Sequence, residues 1–174
     1  PTNGRLRCFI VGDRASSYSV ELHRLAAALP HAVRERLHIV LETQQIARYY
    51  QAADVFVCTS RIESFPRVVL EAMAYGLPVV STRVFGIAEQ VGENVNALLY
   101  EPGDVARLAA HLHQLIDDDA ARLRLAANSP HVLATLNTFD DMVAAYGQAF
   151  REAALTGSSD HGTAPAIAGK RISS

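Results

Sequence analysis

Cysteine is scarce in this chain: Cys8 and Cys58 are the only two. Each stands in a short apolar run, Cys8-Phe9-Ile10-Val11 and Val55-Phe56-Val57-Cys58. Two cysteines in core-strand sequences read as small reduced hydrophobes. Neither a disulfide framework nor a cysteine metal site is expected, and a cytosolic compartment follows. Excess charge is lacking too. The formal net charge of -2 gives nucleic acid no basic surface to bind. No apolar run is long enough to span a bilayer, and no signal-peptide pattern opens the chain. An initiating Met is also missing, so Pro1 to Arg7 are expected to continue a longer polypeptide. Large apolar side chains thin out from Gly157 to Ser174, where Gly, Ser, Ala and Thr dominate. Residues 157–174 are expected to form a disordered tail.

What remains, residues 1–156, has the balance of one soluble domain. Hydrophobic residues make up 49% and charged residues 20% of the chain. Short apolar runs alternate with helical spacing. Strands are expected at Leu6 to Val11, Leu37 to Leu41, Val55 to Cys58, Val79 to Ser81 and Ala97 to Tyr100. Between them, Ser19 to Leu29, Gln45 to Ala53 and Phe65 to Tyr75 show apolar residues on helical faces. A short helix is expected near Glu89. A longer one follows from its cap Asp104 to Ile116, another starts at Ala120, and a last one runs from Asp140 to Ala154. Strands separated by helices are parallel and joined by right-handed crossovers. Strands apolar throughout are expected to be covered on both faces. The fold class is therefore α/β: a Rossmann-like, doubly wound parallel sheet in a three-layer αβα sandwich. Ligands bind such sheets at the carboxyl ends of the strands.

The segment Glu63-Ser64-Phe65-Pro66-Arg67-Val68-Val69-Leu70-Glu71 lies at such an end. Ser64 is expected to cap a helix with Pro66 in its first turn, where a missing N–H costs nothing. The free amides and positive dipole end of that helix suit a diphosphate, and Arg67 adds a cation. Glu71 lies in the nearly all-apolar run Val68 to Ala74, read as a buried helix. A carboxylate there needs a partner. Ribose hydroxyls are one candidate; a nearby Arg or backbone N–H is the other. Glu63, taken alone, reads as a solvated loop acid. Asp117-Asp118-Asp119 reads as the end of one helix and the cap of the next, rather than a metal site. His111 and His113, two apart on a helix, face different ways. Gly12-Asp13 lacks the glycine fingerprint of a dinucleotide site.

Residues 5 to about 150 resemble the C-terminal, nucleotide-sugar domain of retaining GT-B-type glycosyltransferases, group 1 or family four. The motifs run in order: Val11-Gly12-Asp13; Tyr49-Tyr50-Gln51-Ala52-Ala53-Asp54; the pair Glu63 and Glu71; Glu71-Ala72-Met73-Ala74-Tyr75-Gly76-Leu77-Pro78-Val79-Val80-Ser81-Thr82; Gly86-Ile87-Ala88-Glu89-Gln90-Val91; and Leu98-Leu99-Tyr100-Glu101-Pro102-Gly103-Asp104. The resemblance implies that Glu63 acts near the reacting centre and that Glu71 holds the donor ribose. It implies donor contacts from Ser64, Phe65, Pro66, Arg67 and Val68, and from Gly12, Thr43 and Thr82. Transfer is expected to retain anomeric configuration without a metal or other cofactor. The acceptor, a polysaccharide, lipopolysaccharide or glycolipid, is expected on an N-terminal domain absent here. The longer protein would be cytoplasmic or peripheral at the inner face of the membrane.

Departures from the pattern are expected to matter. Pro66-Arg67 stand where Gly-Leu is usual, Phe85-Gly86 where two glycines are usual, and Asn96 where a turn Gly is usual. The family's first strand and helix, with their Arg and Lys diphosphate clamp, have no counterpart before Leu6. The sheet is expected either to close over that gap or to leave an edge for a second copy. This chain alone is expected to be inactive. The alternatives are a non-catalytic nucleotide-sugar-binding or assembly domain of the same fold, and a nucleotide-sugar epimerase.

Overall fold

A computed structural model describes residues 6–156. The chain divides into two compact units, Pro1–Thr135 and Leu136–Ser174. The expected tail, 157–174, lies outside the described residues.

The first unit alternates strand and helix, in the order β1 (Cys8–Asp13), α1 (Ser17–Ala27), α2 (His31–Arg34), β2 (Leu37–Leu41), α3 (Ile46–Ala52), β3 (Phe56–Cys58), α4 (Arg67–Ala74), β4 (Val79–Thr82), α5 (Ile87–Gln90), β5 (Ala97–Tyr100), α6 (Val105–Asp117) and α7 (Asp119–Leu133). The second holds α8 (Phe139–Thr156). Every strand pairing is parallel, as the alternation requires. Caps fall where short polar side chains invite them. Asp104 accepts from Arg107 N at 2.8 Å, and Asp118 ends α6 and accepts from Ala121 N at 2.9 Å to start α7. Gly76 stops α4 with φ 70°, a left-handed value that suits glycine.

The sheet is not continuous. β1 pairs only with β2, and β3-β4-β5 form a second sheet, with no pairing between the two among the described residues. The gap is therefore not closed by the flanking strands. α3 still reaches both sheets through neighbouring rings. Tyr49 lies 5.9 Å from Phe9 of β1, while Tyr50 lies 6.0 Å from Phe56 of β3.

This discontinuity corrects the expectation of strands buried on both faces. β4 and β5 are buried along their whole length, but Phe9, Ile10 and Leu41 of the two-stranded sheet are exposed. Cys8, expected in the core, is exposed as well, whereas Cys58 is buried. Both buried core clusters lie on the three-stranded sheet, and neither includes a residue of β1 or β2.

The core sits on the three-stranded sheet. On one face Val80, Leu98 and Tyr100 pack with Leu115 of α6 and Leu125 of α7. On the other, Tyr50 of α3 packs with Ala72 of α4 and Leu77. The left-handed residue of the turn before β5 is Asn94, at φ 59°, and not Asn96. Asn96 is buried instead: its Oδ1 accepts from Gly92 N at 2.8 Å, and its Nδ2 lies 3.4 Å from Ser129 Oγ. His111 is also a core group, with a ring nitrogen 3.1 Å from the Leu99 carbonyl.

Because Leu115 is fully buried between sheet and α7, Leu115→Ala should cost roughly 2–5 kcal/mol in urea unfolding. A loss below about 1 kcal/mol would show that α6 does not seal this core.

Candidate functional site

The loop from β3 to α4 leaves the carboxyl end of the three-stranded sheet, so chain direction alone puts it where ligands bind such folds. It carries Glu63 and Ser64. Glu63 Oε1 accepts from Ser60 Oγ at 3.1 Å. The carboxylate is thus oriented by its own loop. Ser60 is itself held: its carbonyl accepts from Thr82 Oγ1 at 2.6 Å. Thr82, expected to touch the donor, is 2% exposed. Its hydroxyl supports the loop from beneath rather than facing solvent.

Ser64 does not cap α4. The helix begins at Arg67, with Pro66 at the N-cap (φ -68°, ψ 125°) and no side-chain cap. The cause is local: a proline disfavours the helical region for the residue before it, so Phe65 stays outside the helix and Ser64 is too far away to cap. The first-turn amides consequently have no side-chain acceptor. Val69 N donates to the Pro66 carbonyl at 3.2 Å, and the amides of Arg67 and Val68 lie at the positive end of the helix dipole.

α4 is also not buried all round. Val69, Ala72 and Met73 are buried, while Val68 is 42% exposed. Glu71 lies on this open side, with its side chain 36% exposed. It has two internal partners. Tyr50 Oη donates to Glu71 Oε2 at 3.0 Å, and Arg67 Nη2 lies 3.5 Å from Oε1. Arg67 is almost wholly in solvent, so this pair holds Glu71 only weakly. Tyr50 is the firmer partner. Its ring is buried and stacks on Tyr75 at 5.3 Å. Burial first, then the Glu71 carboxylate, push its hydroxyl well above the ordinary tyrosine range. The open alternative from the sequence is thereby met in part: Glu71 does bond a nearby Arg, together with a tyrosine.

The other expected contacts lie apart from α4. Gly12 (φ 104°) and Asp13 line an open cleft of about 500 Å³ at the end of β1, with Arg14, Ser16 and Tyr18. Asp13 is held by Ser19 Oγ at 3.0 Å and by a His23 ring nitrogen at 2.9 Å. These bonds keep its carboxyl below the usual range. Thr43 Oγ1 accepts from Gln45 N at 3.1 Å and so shapes the turn after β2. Neither this cleft nor a second of about 310 Å³ beside α1 and β2 is lined by Glu63 or Glu71.

Two positions quoted in a sequence motif were not expected to support the loop between β3 and α4. Gly86 abuts the backbone of the loop between β3 and α4: a Cβ there would lie 1.7 Å from the Ser64 carbonyl oxygen. Gln90 is fully buried, and its amide reaches the Pro66 carbonyl at 3.1 Å. A glutamine in an otherwise apolar position was the available signal.

Comparison with known proteins follows from this geometry. The family described as glycosyl transferases group 1 matches residues 1–132. D-inositol 3-phosphate glycosyltransferase of Thermobifida fusca (strain YX) is 34% identical over 158 residues, covering 87% of this chain and 36% of that protein. HepE of Anabaena, solved with UDP, superposes with a TM-score of 0.75 at 26% identity, over 84% of this chain and 41% of that one. A complex of the same protein with UDP-glucose gives 0.74. Sucrose-phosphate synthase of Thermosynechococcus elongatus gives 0.70 at 28% identity, over 87% of this chain and 39% of that one. The chain thus spans about two fifths or less of the length of these relatives.

Burial of the Tyr50 hydroxyl, together with its bond to Glu71, sets a pH dependence. A hydroxyl whose pKa is raised on folding stabilises the fold below its unfolded pKa, near 10, and loses that contribution as pH rises further. Tyr50→Phe should therefore flatten the fall in thermal stability above about pH 10. An alkaline limb as steep as that of the parent would exclude Tyr50 as its source.

Proposed function

The chain belongs to the glycosyl transferases group 1 family, and we propose that it is the donor half of a glycosyltransferase, binding a nucleoside-diphosphate sugar at the start of α4. The observation that carries this reading is a carboxylate at Glu71 on the open side of α4, one helical turn from uncapped amides. Two adjacent ribose hydroxyls match two carboxylate oxygens. The diphosphate then falls to the amides of Arg67 and Val68 and to the Arg67 guanidinium. Glu63, oriented by Ser60, faces the sugar near the reacting carbon. Gly12 and Thr43 contribute from the loops after β1 and β2, and Thr82 acts through Ser60. Positive groups in place of a metal stabilise the leaving diphosphate, and the anomeric configuration is retained.

Relatives support the donor class: HepE has been solved with UDP and with UDP-glucose. The acceptor would be a glycan or glycolipid bound by a further domain, in bacterial polysaccharide or lipopolysaccharide synthesis at the cytoplasmic side of the membrane. No helix among the described residues is long and apolar enough to cross a membrane. The unpaired sheet edges would take a strand from outside this sequence or from a second copy. One observation favours the non-catalytic alternative: Glu71 already has Tyr50 and Arg67 as partners.

In the protein that carries this chain, Glu71→Ala should weaken nucleotide-sugar binding by roughly 10- to 100-fold, the worth of one or two charge-assisted hydrogen bonds. Affinity measured by calorimetry and left unaltered would defeat the site assignment. Donor binding without any transfer in the parent would favour the non-catalytic reading.

A further inference from the structure

Gln90 ends α5 with its side chain 0% exposed. Its Nε2 donates to the Pro66 carbonyl at 3.1 Å. A carbonyl only accepts, so chemistry fixes which end of the amide faces Pro66. That leaves Oε1 buried with no partner among the described residues. A half-satisfied amide is a poor core residue, since an apolar side chain of similar size would leave no orphan. Folding alone therefore does not explain Gln90.

The geometry at Pro66 does. The Pro66 carbonyl and the Arg67 N–H belong to one planar trans peptide, so they point in opposite directions. Gripping the oxygen from the buried side aims the Arg67 amide outward. Pro66 has no N–H of its own to anchor this turn, and no side chain caps α4. Besides Gln90, the Pro66 oxygen accepts from Val69 N at 3.2 Å, a bond inside the same turn that fixes nothing relative to the sheet. Gly86, four residues before Gln90, abuts Ser64 of the same loop.

We infer that Gln90 is a positioning residue: its amide holds the Pro66–Arg67 peptide so that the first amides of α4 face the diphosphate of the donor. The inference rests on the proposed function for the identity of the ligand. The grip on Pro66 is independent of it.

Two apolar replacements, Gln90→Met and Gln90→Leu, test this in the protein that carries the chain. Thermal midpoint, hydrogen exchange of the Val69 amide, and affinity for UDP, GDP, ADP, CDP and dTDP would be measured for each. The expected pattern has opposite signs. The midpoint stays level or rises, because the orphan acceptor is gone. Val69 exchange speeds up about tenfold, and the dissociation constant of the tightest nucleotide rises about tenfold. Exchange and affinity both within twofold of the parent would overturn the inference. So would a large fall in midpoint with both variants, which would make Gln90 an ordinary core residue. If the parent binds none of the five nucleotides, the proposed function fails, and Val69 exchange alone decides whether Gln90 holds the turn.

Discussion

The loop between β3 and α4 is held by the segment that follows it in the fold. Thr82 donates to the Ser60 carbonyl, Gly86 abuts the Ser64 carbonyl, and Gln90 donates to the Pro66 carbonyl. Three backbone oxygens of residues 60–66 thus take their positions from residues 82–90. Each support is buried, so each is insulated from competing water. Orientation of Glu63 through Ser60 follows from the first of these contacts. A binding loop supported in this way needs little ordering when a ligand arrives.

The same arrangement divides the first unit into firm and loose parts. β4 and β5 are buried throughout and carry the core between α6, α7 and α4. β1 and β2 form a separate pair with exposed apolar side chains. α3 touches both, through Tyr49 on one side and Tyr50 on the other. Tyr50 is also the firm partner of Glu71. The helix that bridges the discontinuity therefore orients a proposed ligand group on α4.

Two of the three departures from the usual family pattern, Pro66-Arg67 and Phe85-Gly86, lie at the same loop. Pro66 sets the helix start and brings the unusual need for a buried donor. Phe85 takes the place of a glycine yet keeps a positive φ of 37°, with its side chain 71% exposed. A bulky residue in that region is strained. Gly86 has no such freedom to vary, because Ser64 occupies the space of any side chain there.

Much of the fold was legible from local physics. Alternating apolar runs and helical spacing give parallel strands and crossovers, and β5 begins and ends where its apolar run does. The caps at Asp104 and Asp118 and the stop at Gly76 follow from side chains that bond, or backbones that turn, within a few residues. The doubled acid pattern of Glu63 and Glu71 was visible for the same reason. Ser64 was expected to cap α4, and the effect of Pro66 on Phe65 overturned that: the N-cap is Pro66 itself. What the sequence could not disclose involves partners distant along the chain. Tyr50 and Glu71 are 21 residues apart, Thr82 and Ser60 are 22, and Gln90 and Pro66 are 24. Burial of Asn96 and Gln90, exposure of Cys8, and the split sheet likewise depend on which surfaces meet. Periodicity reports the face a residue shares with its neighbours, whereas the group opposite that face is decided only when the layers pack.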